Sequence, residues 1–279
     1  MKLAAMMLLA GAAAWGKPEV VALPGKSPIV NFRFVLRAGA ASDPAGKQGA
    51  AALTASMLAQ GGTRTKTYKE IVDALFPMAA SISMQVDKEM IVFSGATHID
   101  NLESYYQIFR EALLDPGWRE DDLKRLRDNL INYLRVSLRG NNDEELGKEV
   151  LYNEIYRGHP YGWNNAGTVS GLQSLTMDDL KKFYREHFTQ ANLIIGLAGG
   201  YPPAFLEKVK KDFEALPAGA PGRMKLPAPE ALHETRVVMV EKKTRSVAYS
   251  FGYPIEVRRG HPDFPALLVA QSYLGQHRQ

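Results

Sequence analysis

The sequence predicts an α+β fold: an antiparallel sheet covered by helices on one side, with this unit repeated after a linker and the second copy incomplete. Three observations predict it. Residues 80–86 set Ile82, Met84 and Val86 against Ser81, Ser83 and Gln85, the period of a strand with one buried face. Helices come in runs between the strands instead of alternating with them singly, which argues against a parallel βαβ sheet. A strand–strand–helix order at the start of the chain recurs after a Pro/Gly-rich stretch at 217–229.

The elements follow in order. Residues 20–23 and 29–37 read as strands, and 49–62 (GAAALTASMLAQGG) as a helix stopped by two glycines. Thr67 and Glu70 form a capping box ahead of a helix that carries Ile71, Val72 and Leu75 and closes at Pro77. Residues 80–86 and 90–97 make a hairpin whose tip, Asp87-Lys88-Glu89, reads as a solvated turn. Asp100 caps a helix bearing Leu102, Tyr106, Phe109 and Leu113. A long helix then carries Leu123, Leu126, Leu130, Leu134 and Leu138. The next helix starts at Asp143, Glu144 and Glu145, where acids suit the positive helix end. After the loop at 157–162, Thr176 to Asp179 cap a helix with Leu180 and Phe183 inward. Residues 193–198 form a buried strand ending in a tight turn at Gly199-Gly200, and Pro202-Pro203 open another helix. Beyond the linker, 236–240 and 247–253 read as strands and 264–273 as a buried helix. The expected division is a signal segment at 1–16, a first domain at 17–216, a linker at 217–229 and the start of a second domain at 230–279.

With 279 residues and 46% hydrophobic content, the chain is long enough for one large core and part of another. A net charge of +4 is interspersed along the sequence, and no basic–aromatic stripe or nucleic-acid motif accompanies it. Nucleic acid is therefore not an expected partner. Zero cysteine excludes disulfides, thiol catalysis and cysteine metal sites. Met1-Lys2 precede the apolar run LAAMMLLAGAAAW, the pattern of a secretory signal peptide cut after Gly16 or Ala14. Its apolar stretch, about 13 residues, is shorter than the roughly 20 needed to span a bilayer. The expectation is an exported chain, periplasmic or otherwise extracytoplasmic, without stable membrane insertion.

The segments LRAGAASDP, LTASMLAQGGT, LLDPGWREDDL, NNDEELGKEVLYNEIY, GHPYG, DDLKKFYREHF and SYLGQHR, in that order, resemble the insulinase/pitrilysin family of zinc metallopeptidases. In that family the helix matching 49–62 carries H-x-x-E-H, in which two histidines bind zinc and the carboxylate activates water. Here the motif falls on Ala52, Ala55 and Ser56, and the third ligand, a glutamate on a later helix, falls on Arg135. No two of the six histidines (His98, His159, His187, His233, His261 and His277) stand four apart, so neither H-x-x-E-H nor H-E-x-x-H exists. Zinc requires imidazole, thiolate or carboxylate donors, which alanine, serine and arginine do not supply.

The resemblance points to the family's zinc-less branch. It implies a chain with no catalytic, metal or cofactor residues of its own that pairs with a zinc-bearing homologous subunit and helps to enclose an extended peptide. It also implies an Arg/Tyr pair late in the second domain, which would lie beyond Gln279. A stand-alone peptide- or protein-binding or assembly protein is the alternative, and an active peptidase using other residues the third reading.

Overall fold

The computed structural model describes residues 16–219, 226–244, 247–257 and 259–276. The expected signal segment, apart from Gly16, lies outside the described residues.

Five strands form one sheet: β1 (Glu19–Pro24), β2 (Ile29–Leu36), β3 (Ile82–Val86), β4 (Ile91–His98) and β5 (Leu193–Gly199). Their spatial order is β1-β5-β2-β4-β3, which leaves β3 at an edge. The α+β class stands, but the sheet is mixed. β1 runs parallel to β5, whereas β2–β4, β2–β5 and β3–β4 are antiparallel.

Alternation along β2 decides which face is covered. Val30, Phe32, Phe34 and Leu36 are buried, while Ile29, Asn31 and Arg33 are exposed. The inward rings meet α3 (Leu102–Leu114) and α8 (Pro203–Phe213). Phe34 packs edge-on to Phe213 at 4.9 Å and Phe32 lies 5.2 Å from Tyr105. Burial of each such ring stabilises the fold by about 1.5–3 kcal/mol.

Gly95 of β4 is where the sheet and α3 come closest. A Cβ there would stand 1.6 Å from the Tyr105 hydroxyl, which itself donates to the Ser81 carbonyl at 3.0 Å. Gly95→Ala is expected to cost about 1–3 kcal/mol through overpacking. Thermal denaturation should show a lowered Tm, partly recovered when Tyr105→Phe removes the clashing oxygen. No recovery would mean that the strand backbone, not the tyrosine, bears the strain.

Helix α1 (Ala50–Gln60) is the central element, with every residue buried except Gln60. It packs against β3, α4 (Glu120–Asn132) and α7 (Met177–His187). Its N-cap, Gly49, has φ 113°, a left-handed conformation that disfavours a side chain. The capping boxes at Thr67/Glu70 and Thr176/Asp179 start α2 (Tyr68–Leu75) and α7. A short helix, α6 (Val169–Ser174), was not anticipated; Thr168 caps it by accepting from the Gly171 N–H.

Four expectations need correction. The long leucine helix is α4 up to Asn132 and then a π-helical stretch, Tyr133–Leu138. Leu126, Leu130, Leu134 and Leu138 recur every four residues, which drifts about 40° per step around a 3.6-residue helix. The wider π turn brings Leu134 and Leu138 back to the buried side. Asp100 lies in a 3-10 turn (Ile99–Asn101) instead of capping α3. The segments 236–240 and 247–253 are not strands, because a strand needs a partner and none among the described residues pairs with them. Finally, α9 (Phe264–Gln271) forms where a buried helix was expected, but it is exposed. Val237, Met239, Tyr249, Phe251 and Val269 are each at least 71% exposed.

Candidate functional site

Beside α1 a cleft of about 800 Å³ opens, with Ala52 on its floor. Met84 and Val86 of the edge strand β3 border one side. Tyr152 of α5 (Asp143–Ile155, with Asn142 capping by accepting from the Glu145 N–H) and Tyr156, the residue that ends this helix, border another. Their rings stack with centroids 5.9 Å apart. The Tyr161–Ala166 loop closes the cleft, with Trp163 and Asn165 among the bordering residues.

The vacated zinc positions do not share one fate. Ala52 borders the cleft, whereas Ala55 is fully buried in the core. Ser56 is 2% exposed, and its hydroxyl donates back to the Ala52 carbonyl at 2.8 Å. Arg135 is exposed on the π-helical stretch and does not border the cleft; Leu130 and Tyr133 do. The vacated positions do not fit zinc, since Ala52, Ala55, Ser56 and Arg135 offer no carboxylate or imidazole; the carboxylates that do border the cleft are Asp87, Glu145 and Glu149. Among the described residues no group of three or more His, Asp or Glu could hold a metal ion.

The hairpin tip is only partly solvated: Asp87 and Lys88 are half-buried and Glu89 is exposed. Lys88 Nζ donates to the Trp163 carbonyl, the Tyr161 hydroxyl donates to the Glu89 carboxylate, and Asn165 Nδ2 lies 3.4 Å from Asp87 Oδ1. Burial lowers the Lys88 ammonium to about 8 against the pull of Asp87 and Asp43. Burial, then the Glu89 carboxylate, raises the Tyr161 phenol. His159 sits behind this loop. Its Nδ1 accepts from the Tyr161 N–H at 3.0 Å, and its Nε2 lies 3.0 Å from the Pro227 carbonyl, so both ring nitrogens serve structure.

Asp43, in the loop ahead of α1, caps that helix from a distance. Its buried carboxylate accepts from the Gly49 N–H at 2.6 Å and from the Ala51 N–H at 2.8 Å. Burial raises this carboxyl to about 7, opposed by those two bonds and by Lys88. The only sequence signals for these groups were the Tyr152/Tyr156 spacing and an acid shortly before a helix.

The family profile described as Insulinase (Peptidase family M16) matches residues 20–169. The chain belongs to the insulinase family. A second profile, Peptidase M16 inactive domain, matches residues 174–279. Within the family, the probable mitochondrial-processing peptidase subunit beta of Arabidopsis thaliana is 21% identical over 77% of this chain and 40% of its own length. The zinc protease PqqE of Helicobacter pylori is 24% identical over 71% of this chain and 45% of its own length. The chain thus spans less than half the length of these curated relatives. Among solved structures, a peptidase M16 inactive domain from Pseudomonas fluorescens superposes with TM-score 0.69 at 24% identity, covering 77% of this chain and 52% of that one. The periplasmic protease PqqL of Escherichia coli gives TM-score 0.64 at 15% identity over 76% of this chain and 24% of its own. This insulinase-family member therefore has a peptidase-like fold without the zinc motif. No described helix is long and apolar enough to cross a membrane.

Proposed function

We propose that this chain is the non-catalytic subunit of a two-chain zinc peptidase and that, with a zinc-bearing homologous partner, it lines a chamber for extended peptides. The observation that carries this reading is the cleft of about 800 Å³ left open at Ala52 beside an edge strand. An edge strand offers unpaired N–H and C=O groups to an incoming chain. The peptide-sized space persists although the metal donors are gone. A relative named as a peptidase subunit beta and a periplasmic structural neighbour support pairing and an extracytoplasmic location, in keeping with the signal pattern at 1–16.

The test is a quenched-peptide assay with zinc present. The purified chain alone is expected to show no chelator-sensitive cleavage, and a co-purifying zinc-bearing homologue should cleave faster with it than without it. Chelator-sensitive cleavage by the pure chain would point to unrecognised catalytic residues. A homologue that is fully active alone, gaining neither rate nor affinity, would sink the subunit reading. The stand-alone binding role would then take its place.

A further inference from the structure

We propose that Tyr161–Ala166 is a strap held shut by the β3–β4 hairpin tip, and that an extended peptide in the cleft takes the Trp163 indole N–H and the Asn165 amide oxygen as main-chain partners. This rests on the peptide-binding reading above and adds to it the residues that hold the peptide backbone and the segment that admits it.

The first observation is convergence. Three consecutive tip residues each meet the strap: Asp87 faces Asn165, Lys88 bonds the Trp163 carbonyl and Glu89 accepts from the Tyr161 hydroxyl. A turn that served only to reverse the chain would leave such side chains in water. The tip is itself anchored, since the Ala40 and Ala41 N–H groups donate to the Asp87 and Lys88 carbonyls at 2.9 and 2.8 Å. A fixed tip can hold a movable loop, not the reverse.

The second observation is how the strap is bounded. Glycines stand at 162 and 167. The Gly162 carbonyl accepts from Asn153 Nδ2 at 3.0 Å. Gly167 has φ 94°, and a Cβ there would come within 2.4 Å of the Gly49 Cα, so this end is pinned to the start of α1. Between these anchors the strap is held to the hairpin by the Lys88 and Asp87 side chains, and just ahead of the first anchor Tyr161 is held by Glu89; the glycines at either end are the residues best able to hinge.

The third observation is chemical. With the strap closed, Trp163 Nε1 and Asn165 Oδ1 are shut off from solvent and have no hydrogen-bond partner among the described residues. Buried polar groups are nearly always paired, because an unpaired one carries its full desolvation cost. One orphan is a donor and the other an acceptor, two residues apart on one loop that borders the cleft. A peptide backbone presents one acceptor and one donor per residue, which is the complement of that pair. Lifting the strap exposes both atoms to a strand lying near Met84 and Val86, and re-closing over the strand satisfies them. The closed strap is thus held by its clasp yet destabilised by its orphans, as a device that opens for a ligand must be.

Two measurements on the full chain test this. In hydrogen–deuterium exchange, Tyr161→Phe and Lys88→Met each remove one clasp contact. Amides 162–166 are expected to exchange about tenfold faster while β2 and α7 stay unchanged. Unchanged rates in the strap, or acceleration throughout the domain, would overturn the clasp. For the second half, the probe is a fluorescein-labelled, disordered 12-residue peptide of Ser, Leu, Lys and Ala, followed by anisotropy. Trp163→Phe keeps the aromatic body and loses the N–H; Asn165→Ala loses the acceptor. Each is expected to bind about five- to tenfold more weakly than the unaltered chain, the effect of one hydrogen bond. Equal binding by all three proteins would overturn the assignment of these two atoms while leaving the peptide reading intact. No binding by the unaltered chain would sink the peptide reading and this proposal with it.

Discussion

Replacing Asp43 by alanine is expected to lower stability by about 2–6 kcal/mol, because it strands two buried N–H groups that each cost about 1–3 kcal/mol unpaired. Those groups belong to Gly49 and Ala51, at the start of the buried helix α1. Against a typical margin of 5–15 kcal/mol this is a large loss, roughly 4–24 °C in Tm. The pH dependence has a definite sign. The folded-state carboxyl is raised to about 7 from an ordinary value of 3.8, so the folded state holds a proton that the unfolded chain releases. Its contribution is fully present below pH 4 and is lost as pH rises through about 7. Surface carboxylates such as Glu111 and Asp179 are shifted down and act in the opposite sense, so the total slope mixes both. The gap between the native chain and Asp43→Asn isolates the single group. Urea unfolding at pH 4 and pH 8 should show that gap shrinking by on the order of 2–4 kcal/mol. A constant gap would mean that Asp43 is ionised throughout.

Asp43 also shows where the sequence stopped being readable. A capping residue is recognised when it directly precedes its helix, as Thr67 and Thr176 do. Asp43 reaches N–H groups six and eight positions ahead through a loop whose path no local rule supplies. Strands β2 and β3 were legible because each alternates polar and apolar residues against one covered face, and β5 because it is an unbroken apolar run. Segments 236–240 and 247–253 carry strand-like residues too, but pairing is a property of two segments and no described segment supplies the second. The resemblance puts the third ligand at Arg135. The π-helical stretch at Tyr133–Leu138 widens the turn, so that Tyr133 meets the cleft and Arg135 meets water. The hairpin tip misled for a similar reason: three charged or acidic residues look like a solvated turn until a distant loop is brought against them.

Restoring the zinc motif is expected to unfold the core around α1 instead of reviving a metal site. Ala52→His alone should be tolerated, since Ala52 borders the cleft and an imidazole there has room. Ala55 and Ser56 are 0% and 2% exposed and packed within the core or hydrogen-bonded to the helix backbone. Inserting large side chains at such places costs about 1–3 kcal/mol each in overpacking, and a carboxylate at 55 adds several more for burial without a partner. Together these approach the whole stability of a domain. The triple variant Ala52→His/Ala55→Glu/Ser56→His should therefore lose cooperative thermal unfolding and take up no stoichiometric zinc, whereas Ala52→His keeps a sharp transition. Adding Arg135→Glu should not help, because that side chain faces solvent; Tyr133→Glu would instead add a carboxylate to Asp87, Glu145 and Glu149, which already border the cleft. The decisive comparison is zinc content by elemental analysis beside a melting curve for each variant. A triple variant with native Tm and one bound zinc would show that only side chains separate this chain from a zinc site. The opposite result means that β3, α4 and α7 have closed around the small residues, and that the loss of zinc is written into the packing of α1 as well as into its motif.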